Sequence, residues 1–233
     1  MYNDQSVQYQ LDTQVALNAY ISKVFGIMFA GLLITAFASI YTATSPAMQA
    51  VIFGNPFGFI ALIIIEFILV ISISAAINKI SYGAALGMFF AYSVINGITL
   101  SVVFMAYELG SISMAFTVTA VTFGVMALYG MVTKTDLTKM GSMFLMVLLG
   151  GIIALFINMF IQSSAFDFVI SLVLLIVFVG LVAYDTQKLK GYFYGTQNDI
   201  AMQKKSGVLG ALSLYLDFVN IFLFLLRIFG KRR

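Results

Sequence analysis

A chain of 233 residues that is 62% hydrophobic and only 9% charged, with a mean hydropathy of +1.05, has no room for a soluble domain and reads as a one-domain polytopic membrane protein. The absence of cysteine and histidine excludes a thiol nucleophile, a disulfide, a haem ligand and an ordinary zinc site, so a titratable switch near neutral pH would have to be a perturbed carboxyl group. A net charge of +3 is accounted for by lysines beside the spans and implies no nucleic-acid partner.

Residues 1–23 are expected to form a polar arm carrying Asp4 and Asp12, without the basic start and apolar core of a secretory signal. Its apolar positions Val15, Leu17, Ala19 and Ile21 show no clear helical period. Residues 24–233 are expected to form a single seven-helix transmembrane domain. Apolar runs of hydrocarbon length place spans at 24–43, 57–77, 83–107, 111–131, 142–161, 166–185 and 209–229. Both prolines, Pro46 and Pro56, fall in the first loop, and Tyr20, Tyr41, Tyr82, Tyr107, Tyr129 and Tyr184 fall near span ends as an aromatic belt would. Glycines within the spans (Gly26, Gly31, Gly83, Gly87, Gly97, Gly124, Gly150, Gly151 and Gly180) are read as close helix packing.

Lys23, Lys79, Lys134, Lys139, Lys188, Lys190, Lys204 and Lys205 all flank one side of these spans, which places the N-terminus in the cytoplasm. An odd number of full spans then puts Lys231, Arg232 and Arg233 on the opposite side, against that rule; a re-entrant segment would avoid the conflict, and full spanning is preferred on length.

The candidate functional residues are acids at bilayer depth, where a charge costs about 2.5 to 3.5 kcal/mol on insertion scales and is retained chiefly for function. Asp217 lies well inside the last span, on a stripe with Gly210, Leu214, Asn220 and Phe224. Asp185 closes the sixth span; taken alone it reads equally well as an interfacial acid beside Lys188 and Lys190. Contact between the two would require Asp185 to dip inward or the last helix to begin late. Two carboxyls in contact cannot both ionise easily and would titrate as a pair sharing a proton. Glu66 in the second span is read equally as a protonated, hydrogen-bonded acid or as part of a proton or cation path, and Asn96 and Asn158 as polar points that more often hold helices together.

The stretches FVGLVAYDTQKLK and ALSLYLDFVNIFLFLLRIFG, with YSVINGITLSVVFMAY and YGMVTKTDLTKMGSMFLMVLLGGIIALFINMF, resemble the bacterial branch of the transmembrane Bax inhibitor motif family over most of the chain. The resemblance implies an all-α membrane protein with the C-terminal helix central and two three-helix layers around it. It further implies a pH-sensitive calcium leak channel of the inner membrane in which Asp185 and Asp217 form the gating pair; from the residues themselves, the pair is expected to meet calcium transiently, with Glu66, Asn220 and Asn96 as ion-pathway or supporting polar residues. The expected partners are the lipid bilayer, calcium and protons; no cofactor and no enzymatic activity are implied. A basic group that partners the pair in the family would have to be Lys79 here. No EF-hand-like acidic spacing occurs, which suits passage of calcium better than storage.

Two other readings compete. A regulator of a membrane protease or stress-response complex would depend on loops or the N-terminal arm rather than on Asp217. An intramembrane aspartyl protease would use one Asp to activate water and the other as acid, but it calls for Gly-x-Gly-Asp where this chain has Leu214-Tyr215-Leu216-Asp217.

Overall fold

The computed structural model describes residues 2–233, and the described residues are almost entirely helical: α1 (Tyr2–Thr44), α2 (Pro46–Phe53), α3 (Pro56–Ala76), α4 (Tyr82–Ala106), α5 (Leu109–Val132), α6 (Thr138–Ile161), α7 (Ser164–Gly195) and α8 (Ile200–Phe229). Seven of them are long and apolar enough to cross a membrane, and the chain is an integral membrane protein by that criterion. Short polar side chains start the helices. Ser45, Asn55, Ser81, Ser163 and Asp199 each accept a backbone N–H of the first turn, and Pro46 follows its cap at a position where a missing N–H costs nothing. The short helix α2 occupies what the sequence suggested was only a proline-marked loop.

The polar arm is not a separate element. Met1, its first residue, lies outside the described residues, and from Tyr2 onward it is continuous with the first span. Its end belongs to the core. Leu17, Tyr20, Ile21, Val24 and Met28 are buried at helical spacing, with the Tyr20 ring 5.7 Å from that of Phe193 on α7. The period was hidden because its second member is a tyrosine. Tyr184, expected at a span end, likewise lies inside a helix, because α7 continues to Gly195.

The C-terminal helix α8 is central. It packs against α1, α4, α5 and α7 and is by far the most buried span. On one flank α4 joins α1 and α3, and α7 joins α5 and α6 on the other. The helices α3 and α6 touch little else and present exposed apolar side chains such as Ile64, Phe67, Leu149 and Phe156, as a lipid-facing surface requires. Two seams close to backbone distance. A Cβ at Gly97 would stand 2.6 Å from the Thr35 carbonyl oxygen, and one at Gly130 would collide with the Ala183 carbonyl. Of the glycines expected to pack, Gly31, Gly97, Gly151 and Gly180 do, whereas Gly26, Gly83, Gly87, Gly124 and Gly150 have open space where a Cβ would stand.

α8 ends beside the connection between α4 and α5, at the end of the bundle opposite the lysines. There Glu108 N–H donates to the Lys231 carbonyl (3.0 Å), Arg233 N–H to the Ala106 carbonyl (2.9 Å), and the Arg232 guanidinium lies over the Tyr107 ring. Arg227 forms a two-pronged ion pair with Asp167 at the start of α7, and Asn158 supports the same carboxylate at 3.3 Å. The basic tail is therefore tied into the connection between α4 and α5.

Candidate functional site

Asp217 lies in the middle of α8 with 3% of its surface exposed, seventeen residues from the helix start. Asp185 is half-buried and lies ten residues inside α7, not at its end as the sequence suggested. The extra turns of α7 settle how the two meet: α8 begins early, at Ile200, and it is Asp185 that is carried inward. The two carboxyl groups are brought near enough on facing helices for the charge on one to act on the other. Two carboxyls buried this near each other cannot both ionise easily. Asp217 Oδ2 and the Thr186 hydroxyl are buried with no hydrogen-bond partner.

The cation at this pair is Lys188, one turn beyond Asp185 on α7, whose charge acts on both carboxyls. Lys79, the residue to which the resemblance points for this role, lies in the turn after α3. The Lys188 ammonium lies 5.5 Å from the Tyr184 ring centre and 5.6 Å from that of Tyr192, a cation–π seat on both sides. These same three residues line a cavity of about 560 Å³ at the lysine-bearing end, together with Thr133, Thr138 and Gln187. The cavity wall is fixed: Gln187 accepts the Leu137 N–H and donates to the Thr135 carbonyl, and Lys190 donates to the Met131 carbonyl. In the other direction the buried side chains of α8 are apolar, with Phe218 against Phe116 and Phe123 and Phe224 stacked on Phe178.

The remaining candidates do not join the pair. The Asn220 amide donates to the Leu216 carbonyl of its own helix at 2.7 Å. Glu66 and Asn96 meet each other instead, with Asn96 Nδ2 3.1 Å from Glu66 Oε2, and they extend through Tyr215 to Thr35. No sequence motif marks Tyr215 or Thr35 for such a role. Among the described residues no three acidic side chains gather as a metal-binding group.

The family model described as inhibitor of apoptosis-promoting Bax1 matches residues 17–233, which include every residue of this pair and its surroundings. The chain belongs to that family. Relatives are similar over nearly their whole length: the inner membrane protein YbhL of Escherichia coli K12 is 46% identical across 94% of both chains, and an uncharacterized protein of Rickettsia prowazekii is 38% identical across 93% of this chain and 91% of its own. An uncharacterized membrane protein of Streptococcus pyogenes serotype M1 is 35% identical across 98% of this chain and 99% of its own.

Proposed function

We propose that this Bax inhibitor family member is a pH-sensitive calcium leak of the bacterial inner membrane, with its N-terminus and lysine-bearing end in the cytoplasm, gated by the proton that Asp185 and Asp217 share. The observation that carries this reading is that Asp185 of α7 is carried inward to face Asp217, buried in the middle of the most buried helix, closely enough for their charges to interact. With one proton the pair binds α7 to α8 and carries a single negative charge, which Lys188 offsets at the cavity wall. Losing that proton sets two anions against each other; gaining a second removes the charge that holds Lys188 in place. Either change weakens the hold on α8, and the Phe218 and Phe224 contacts must part for an ion to continue.

Calcium suits such a path because carboxylates and backbone carbonyls are the oxygen ligands it prefers, and a site of two carboxylates is too sparse to retain it. Proteolysis fits poorly: Leu214 and Tyr215 are fully buried beside Asp217 and leave no groove for an extended substrate. The test is calcium flux into liposomes holding the purified protein, measured across pH for wild type, Asp185→Asn and Asp217→Asn. Altered flux with a flattened pH response in the variants is expected; flux unchanged in both overturns the proposal.

A further inference from the structure

A second polar cluster crosses four helices at membrane depth and makes no contact with the aspartate pair. It runs from Glu66 on α3 to Asn96 on α4, to Tyr215 on α8, to Thr35 on α1, and ends on the Ser93 carbonyl of α4. The four heavy-atom separations are 3.1, 2.9, 2.6 and 2.9 Å, all of hydrogen-bond length. Asn96, Tyr215, Thr35 and Ser93 are all buried, so water cannot stand in for a missing partner.

Counting hydrogens decides the protonation state. With Glu66 ionised, it accepts from the Asn96 amide, and Asn96 Oδ1 takes the Tyr215 hydrogen. Thr35 then has one hydrogen for two neighbours, the Tyr215 oxygen and the Ser93 carbonyl. Three hydrogens serve four contacts, and the shortest of them is the one at risk. The Ser93 hydroxyl cannot help, since it donates to the Phe89 carbonyl at 3.0 Å. Exchanging the oxygen and nitrogen of the Asn96 amide and placing a proton on Glu66 closes the count. Glu66 then donates to Asn96, Asn96 to Tyr215, Tyr215 to Thr35, and Thr35 to Ser93.

We propose that Glu66 is a proton-binding site in its own right, a neutral carboxylic acid heading a one-way hydrogen-bond chain that ties α3 and α4 to α8 and α1. Its surroundings suit a neutral acid. Oε1 of Glu66 is buried with no donor, because the nearby Thr99 hydroxyl is directed to the Ile95 carbonyl at 3.2 Å. The titratable groups that face it are the phenols of Tyr92 and Tyr215, and α2, the other helix packed on α3, carries no titratable residue. Loss of the proton reverses the chain at Asn96 and leaves one contact at Thr35 without a hydrogen, so the α1–α8 seam reads the state of an acid on the outer helix α3.

The chain contains only two glutamates, Glu66 and the exposed Glu108, so carbon-13 labelling of glutamate side-chain carboxyls isolates this site from every aspartate in an infrared spectrum. At neutral pH the labelled protein in lipid is expected to show a label-sensitive C=O band of a protonated carboxyl that is lost in Glu66→Gln and kept in Glu108→Gln. Tyr215→Phe is expected to shift that band. Label-sensitive bands from ionised carboxylates alone overturn the protonation, and a band indifferent to Tyr215→Phe overturns the chain. The labelled wild type and Glu108→Gln decide the protonation even where Glu66→Gln fails to fold.

Discussion

Tyr215 and Asp217 stand two residues apart on α8 and point about 160° away from each other on a helix of 3.6 residues per turn, one into the Glu66 chain and the other onto Asp185. The central helix thus separates Glu66 from the aspartates, against the one of its two sequence readings that joined all three in a single path. Tyr215→Phe leaves Thr35 and Asn96 short of a partner in a dry seam, which costs about 1–3 kcal/mol. The expected result is a lower thermal midpoint in detergent, with the shape of the flux–pH curve in liposomes kept, because the Asp185 face of α8 is untouched.

The flux–pH curve itself is expected to have a minimum. The pair holds α8 best with one proton, and the curve rises on the acid side as the second proton cancels the charge facing Lys188, and on the alkaline side as two anions repel. Asp136 in the connection between α5 and α6 serves as an internal control. The Thr138 hydroxyl and N–H hold its carboxyl below the usual carboxylate range, so its contribution is present at neutral pH and is lost only in stronger acid. Flux of Asp136→Asn measured between pH 5 and 8 is therefore expected to follow that of wild type.

What could be read from the sequence follows from what burial costs. The spans and Asp217 were legible because a carboxyl deep within a run of hydrocarbon length has few explanations. Asp185 was placed at a helix end because Gln187, Lys188 and Lys190 interrupt the apolar run, yet these side chains serve the cavity wall and the helix continues past them to Gly195. Hydropathy registers polarity and does not distinguish a polar turn outside the membrane from a polar face inside the bundle. Tyr215 and Thr35 escaped notice because tyrosine and threonine are ordinary in a span, and only the three-dimensional crossing of α1, α4 and α8 brings their hydroxyls to 2.6 Å.

Lys188→Met removes the cation and keeps an apolar stem between Tyr184 and Tyr192. With no cation to release, a second proton no longer loosens α8, so the acid-side rise of the flux–pH curve is expected to flatten while the alkaline-side rise, set by the two anions, is kept. Lys188→Arg keeps the charge and the cation–π seat and is expected to leave the curve in place, a comparison read in the same liposome assay.

Arg227 and Asp167 tie α8 to α7 at the end remote from the lysines. Their side chains are 37% and 26% exposed, so screening limits the pair to about 1 kcal/mol or less despite its two-pronged geometry. Arg227→Gln is expected to lower the thermal midpoint slightly and to do so less in high salt. Asp167→Asn should cost about the same, and the double variant little more than either single one, which a double-mutant cycle of thermal unfolding would read.

Gly130 and Gly124 lie on the same helix and give opposite expectations for the same substitution. At Gly124 a Cβ meets open space, so Gly124→Ala removes the entropic penalty of a helical glycine and is expected to raise stability by up to about 1 kcal/mol. At Gly130 the Cβ runs into the Ala183 carbonyl, a backbone atom with no rotamer to change. Either α5 moves off α7 or α7 bends, at about 1–3 kcal/mol. Since Ala183 lies two residues before Asp185, the displacement reaches the carboxyl pair. Gly130→Ala should therefore both lower the thermal midpoint and raise resting calcium flux at the pH of the wild-type minimum, while Gly124→Ala leaves that flux unchanged.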